Sequence, residues 1–284
     1  MNLRLLLFCL FGFVSVAGFS AWGDETEPVR IAGSGAISKA VSLAVPILRE
    51  RGIRMKLLSE GGSGSAISSV GDGSADIAIS GRPITGPERA AFPEKRFYEM
   101  VFGIQALTFI VPKDVWESGV HALNRDQIRR IYEREITNWK DLGGEDRPIK
   151  FYNPEQGHGV WEFFVTWVYG EQRKAPLGEN FETVGESEET RNIVEFNAGS
   201  MSVTPAGVAD NKQVFALAIR DDKGEAIEPT PRNIREKRYP VQRPLFLVTG
   251  ERPTGRVKDI VEFMLGKEAE PLILRSELTP VTGQ

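Results

Sequence analysis

The chain has 284 residues, with 35 Lys and Arg against 39 Asp and Glu, a net charge of −4, two histidines and one cysteine. That balance gives no reason to expect nucleic acid or an anionic membrane as a partner. Two scattered histidines and one thiol are too few for a zinc centre, and no HExxH, CxxC or GxSxG pattern occurs.

Residues 1–23 read as a secretory leader. Arg4 gives a positive start, Leu5–Val16 is a short apolar core, and small residues offer cleavage after Ala17 or, preferably, after Gly23. Cys9 lies inside that core, so the exported chain has no cysteine, no disulfide and one more net negative charge. No later run reaches the ~18 apolar residues of a membrane span. The expectation is an exported, periplasmic, globular protein whose length allows one large domain or two ordinary ones.

In chain order, Val29–Ala32 reads as a strand, Gly35–Arg51 as a helix, Ile53–Ser59 as a strand and Ser63–Gly71 as a helix. Ala75–Ser80 is a buried strand and Gly86–Phe92 a short helical turn. Strand–helix alternation at this spacing predicts a parallel or mixed sheet covered by helices, an α/β fold. Val101–Pro112 is a long apolar strand that carries the chain into a second alternation. There follow a helix at Asn124–Glu133, with Asn124 as N-cap and Gln127 completing a capping box, and a turn at Asn138–Arg147. Next come a strand at Pro148–Tyr152, a turn at Asn153–Gly159, a helix at Val160–Tyr169 and a polar loop at Arg173–Asn180. A helix at Glu186–Asn197 and a strand at Val214–Ile219 close this half. The last part is a Pro-bounded strand, Leu245–Thr249, then helices at Gly255–Leu265, capped by Thr254, and Lys267–Arg275. The two long apolar strands are what a pair of hinge crossings needs.

The most informative stretch is Ser59–Pro83, SEGGSGSAISSVGDGSADIAISGRP. Its Gly61–Ser65 turn opens a helix, and Ile31–Gly35 (IAGSG) repeats the same grammar about thirty residues earlier. Gly/Ser turns at helix N-termini aim backbone N–H groups and hydroxyls where the helix dipole favours negative charge. Ser34, Ser63 and Ser80 all fall at carboxyl ends of predicted strands, where α/β sheets place ligand crevices. Asp72, Asp76 and the acids of Gly185–Glu195 read as turn formers and a solvated helix face.

Several segments then resemble one family nearly end to end: Ala32–Gly35, the Gly62–Ser65 turn, Ala75–Pro83, Leu123–Gly144 (containing ITNWKDLGG), Glu155–Gly159 and Tyr239–Leu247 (YPVQRPLFL). The chain is similar to the periplasmic phosphate-binding receptors of ABC importers, within the type II periplasmic binding proteins. The resemblance implies two lobes, each a mixed sheet flanked by helices, joined by a two-strand hinge and clamping a small anion without chemistry or a cofactor. The two alternations, separated by the two long apolar strands, place one lobe at residues 24–112 plus 242–284 and the other at 113–241. The implied partners are phosphate or a related oxyanion and ABC permease subunits, with a monomeric receptor.

Carried over by position, the resemblance implies ligand contacts from Ser34 and Gly35, from Ser63, Gly64 and Ser65, and from Ser80. The second lobe departs from the pattern R-x-x-G-S-G-T, with Pro154, His158 and Val160 in place of Arg, Ser and Thr. Gly81 stands where many members carry an Asp. Arg–phosphate forks combine charge with two parallel hydrogen bonds, which Pro154 cannot supply. Arg82, one residue past Ser80, is the candidate replacement cation, with His158 and Gly159 the candidate donors from the second lobe. Without the Asp, weaker discrimination of phosphate from sulfate is expected, Glu155 being the alternative acceptor. A changed ligand on the same fold, or a sensor that has lost tight binding, remain open readings.

Overall fold

The computed structural model describes residues 27–33, 35–59, 62–155, 159–170, 181–185 and 187–281. The leader, Ser34, His158 and the Arg173–Asn180 loop therefore lie outside the described residues.

The chain begins with β1 (Val29–Gly33), α1 (Gly35–Glu50), β2 (Met55–Ser59), α2 (Ser63–Gly71), β3 (Ile77–Ser80) and α3 (Gly86–Ala91). β1 pairs in parallel with both β2 and β3, an interior strand in which every residue but Arg30 is buried. The approach to β3 is so close that a Cβ on Gly33 would stand 2.9 Å from Ile79 Cβ, which requires glycine there. Asp76 does more than form a turn. It accepts the backbone N–H of Arg30 at 2.7 Å and its guanidinium at 2.8 and 3.2 Å, tying the start of β3 to β1.

β4 (Tyr98–Pro112) then carries the chain to α4 (Lys113–Glu117), β5 (Ala122–Asn124), α5 (Arg125–Tyr132), β6 (Lys150–Pro154), α6 (Gly159–Tyr169), β7 (Thr183–Val184), α7 (Ser187–Phe196) and β8 (Ser200–Pro205). Asn124 caps α5 through the expected box, its side chain accepting from Gln127 N–H at 2.8 Å. The predicted strand at Val214–Ile219 is two strands, β9 (Val214–Ala216) and β10 (Ala218–Arg220). They separate at the buried Leu217, whose N–H bonds Phe109 O, because β9 pairs with β4 while β10 joins β5 in another sheet. β11 (Ala226–Ile227) completes that small sheet, and α8 (Pro231–Arg235) follows.

β12 (Gln242–Thr249) is longer than expected and contains Pro244, with a register shift between Leu245 and Phe246. Such an irregularity is where a sheet tolerates proline. α9 (Gly255–Leu265), α10 (Glu270–Arg275) and β13 (Thr279–Pro280) end the chain. Thr254 occupies the N-cap of α9, but its side chain makes no capping bond.

The main sheet runs β2-β1-β3-β12-β4-β8-β6-β7 as one hydrogen-bonded path. Its centre is β4, whose residues Tyr98–Ala106 pair with β12 and whose residues Leu107–Pro112 pair with β8 and β9. The apolar cores divide along the same strand. Phe102 packs with β1, α1 and α9, whereas Leu107, Phe109 and Val111 pack with α5 and α6. The fold is thus α/β and two-lobed, with helices over each part of a mixed sheet.

The family-like segments in the second lobe prove to be anchors. Trp139 is 1% exposed, and its Nε1–H donates to Gly199 O at 2.9 Å. Asn138 Oδ1 accepts from Lys140 and Arg147 N–H, shaping the short 3-10 helix Trp139–Leu142. Tyr239 OH donates to Leu107 O at 2.9 Å, where β4 passes between the cores.

Candidate functional site

α2 begins without a side-chain cap, since its N-cap residue is Gly62. The first turn of a helix has no intrahelical acceptor for its N–H groups. Among the described residues none accepts from the N–H groups of Ser63, Gly64 or Ser65. The Ser63 hydroxyl accepts the N–H of Gly81 at 3.0 Å, which fixes the end of β3 beside this helix start.

Ser80 is fully buried, and its hydroxyl is already engaged: it donates to Arg82 O at 2.6 Å and accepts from Arg82 N–H at 3.2 Å. Its direct role is therefore to hold the Gly81–Arg82 turn. Arg82 forms a fork with Glu88, Nη1 to Oε2 at 2.9 Å and Nη2 to Oε1 at 2.7 Å. Nη1 also donates to Pro83 O. This uses one N–H of Nη2, leaving its second without an acceptor among the described residues. The hydrogen-bonded guanidinium brings the Glu88 carboxyl from 4.5 down to about 2, so the pair is ionised throughout the neutral range. The pair lies against α2: a Cβ on Gly64 would be 3.5 Å from Arg82 Nη2 and 3.6 Å from Glu88 Oε1.

The structure thus brings Ser63, Gly64, Ser80 and Arg82 together, with Ser65 exposed on the same first turn and Gly35 opening α1 directly after β1 and Ser34. Gly159 opens α6 in the other lobe, and no hydrogen bond among the described residues joins it to this cluster. Pro154 is buried at the end of β6 opposite Val184, and Glu155 is exposed just beyond it. Val160 is 6% exposed and belongs to the second core.

Two features escape the sequence reading. The sequence signal for Glu88 is its place three residues after Thr85 in T-x-x-E, and in the structure the two form a capping box at the start of α3. Arg243, in the YPVQRPLFL segment, joins β12 and β4 to α6. Its Nε donates to Gln105 Oε1 at 2.9 Å and its guanidinium lies 4.5 Å from the centre of the Phe163 ring. Burial lowers its pKa to about 10, opposed by the charge of Glu162.

Comparison with known proteins gives a consistent picture. A family model described as PBP superfamily domain matches residues 20–268. The phosphate-binding protein PstS of Staphylococcus haemolyticus is 28% identical over 224 residues, covering 74% of this chain and 68% of that protein. The phosphate-binding protein PstS of Bacillus subtilis is 24% identical over 268 residues, covering 93% and 84%. Among solved structures, an ABC-type phosphate transport receptor from Vibrio cholerae superposes with a TM-score of 0.73 at 22% identity, covering 88% of this chain and 98% of that one. A phosphate ABC transporter substrate-binding protein from Clostridium perfringens, described as putative and solved with bound phosphate, gives a TM-score of 0.66 at 25% identity, covering 90% and 100%.

Proposed function

The chain belongs to the PBP superfamily, and from that premise we propose that it is a periplasmic receptor that binds phosphate between its lobes and delivers it to an ABC permease. The observation that carries this reading is the start of α2. Three successive N–H groups face no described acceptor there, beside a guanidinium with a spare N–H. The helix dipole adds about half a positive charge at that point, so an oxyanion gains fixed donors that need no reorganisation. The relatives' printed descriptions as phosphate-binding proteins support phosphate as the anion.

In this reading Ser34, Gly35, Ser63, Gly64, Ser65 and Arg82 contact the ligand from the first lobe, and Ser80 holds their turn in shape. His158 and Gly159 close over it from the second. The lobes are residues 24–112 plus 242–284 and residues 113–241, with β4 and β12 as the crossings. Residues 1–23 direct export, and the receptor acts as a monomer, without a cofactor and without turning over its ligand. Among the described residues no helix is long and apolar enough to cross a membrane. With Pro154 in a strand and Val160 in the core, positions 154 and 160 supply neither the expected arginine nor the expected hydroxyl. Affinity is therefore expected to fall below that of relatives carrying both groups.

Equilibrium dialysis of the purified chain with labelled phosphate tests the reading, together with mass spectrometry of any ligand retained through purification. Saturable 1:1 phosphate binding is expected. No binding at millimolar phosphate would overturn it.

A further inference from the structure

Resting on that reading of the site, we infer that Arg243 is a ligand-binding cation, a guanidinium on a crossing strand that meets the oxyanion from the floor of the cleft in place of the arginine absent at position 154. The strand pairing carries it there. β12 runs antiparallel to β3, with Phe246 opposite Ser80, the last residue of β3. The residues of β12 before Phe246 therefore continue past the carboxyl end of β3, and Arg243 stands three residues, about 10 Å, beyond it. This is the end of β3 at which α2 begins, since the Ser63 hydroxyl holds the Gly81 N–H. Alternation along β12 sets Arg243 on the face shared by Leu245 and Leu247, whose core α1 covers. Its cross-strand partner Gln105 alternates with Leu107 and Phe109, whose core α6 covers. Arg243 thus lies where the first core gives way to the second.

Its charge is uncompensated. Nε donates to Gln105 Oε1 at 2.9 Å, and the guanidinium lies 4.5 Å from the centre of the Phe163 ring in the second turn of α6. The other four N–H groups, on Nη1 and Nη2, have no acceptor among the described residues. Glu162 is the acid whose charge reaches it, and no described carboxylate forms an ion pair with it. Arg82, by contrast, is already neutralised by its fork with Glu88. An unpaired charge out of water is costly, and burial brings this guanidinium down to about 10, still ionised at neutral pH. A tetrahedral oxyanion in the cleft supplies the missing counter-charge and accepts two parallel bonds, one from each Nη. The strand that joins the lobes then carries the cation, which offsets part of the loss that Pro154 and Val160 entail.

Calorimetric titration of the full exported chain with phosphate at neutral pH, beside thermal melting without ligand, tests this. Arg243→Met keeps an apolar stem and removes the charge. Phosphate affinity should fall by at least ~100-fold, two bonds to a charged group being lost. The ligand-free melting temperature should stay at or above the native value, since an unpaired charge has gone. Arg243→Lys, which keeps the charge and loses the fork, should cost about tenfold in affinity. Phe163→Leu removes the ring beneath the guanidinium but leaves the cation and its bond to Gln105; it should lower the melting temperature and keep phosphate affinity near native. Native affinity in Arg243→Met overturns the inference, as does an equal loss in Phe163→Leu, which would trace the effect to packing between β12 and α6. Should Arg243→Met not fold, Arg243→Lys decides: a clear loss of affinity supports the inference and native affinity overturns it. Native protein that binds no phosphate overturns the functional reading itself, and this inference with it.

Discussion

Replacing Gly64 by alanine should separate stability from binding. Gly64 is the second residue of α2, and its φ lies outside the positive region where side chains are strained. An added Cβ would meet Arg82 Nη2 at 3.5 Å and Glu88 Oε1 at 3.6 Å, which is ordinary contact, so neither packing nor backbone conformation demands glycine. Alanine is better than glycine by about 1 kcal/mol in a helix interior, and about half of that is expected in a first turn. For a chain of this size that corresponds to a rise in melting temperature of about 1–2 °C. Binding should move the other way. A methyl beside the N–H groups of the first turn keeps an oxyanion from closing to hydrogen-bond distance. Losing one bond to a charged group costs about 1.5–3 kcal/mol, a drop of roughly 10- to 100-fold in phosphate affinity. Thermal melting and calorimetric titration of the same sample give both numbers. Affinity within twofold of the native value would show that no anion approaches α2 there, and a stability loss above about 1 kcal/mol would show that the glycine serves packing instead.

Ser80→Ala should cost about 1–2 kcal/mol in urea unfolding, since the Arg82 N–H loses its acceptor and the Arg82 carbonyl its donor, and phosphate affinity should fall with it; native values for both would remove Ser80 from the site. The Glu88 carboxyl is depressed to about 2, so the stability that it contributes is complete above the unfolded value of 4.5 and disappears as pH falls toward 2. With part of the ion pair in solvent, the native protein should exceed Glu88→Gln by about 1–2 kcal/mol at pH 7, shrinking to nothing near pH 2; a difference that ignores pH would refute the sign. Tyr239→Phe should cost about 1–2 kcal/mol by leaving Leu107 O without its side-chain donor, measured by chemical denaturation. Burial also pushes the Tyr239 phenol well up, so ultraviolet titration should show no ionisation of this group before alkaline unfolding.

Much of the first lobe is legible in the sequence because its signals are local. The alternation of apolar runs with Gly/Ser turns marks β1, α1, β2, α2 and β3, and the bounds of α2 fall where its glycines place them. The capping box at Asn124 and Gln127 likewise fixes the start of α5. β8, SMSVTP, alternates hydroxyls with apolar residues, the pattern of a strand with one face in solvent, yet every residue is buried. Ser200 and Ser202 donate to Val194 O and Tyr152 O, partners supplied by other elements, so no local pattern announces a core strand.

The sequence by itself determines the α/β class, the Gly/Ser turns that open helices and the absence of an arginine at position 154, since each depends on residue type and short spacing. Only the tertiary structure decides what those residues touch. Ser80, the predicted ligand hydroxyl, is turned onto the Arg82 backbone, and Val160 lies in the core. Arg82 is held by Glu88 against Gly64, and Arg243 ties β12 to β4 and α6. These contacts span separate elements, and a side chain's partner there is set by the packing of whole strands and helices, which neighbouring residues do not encode.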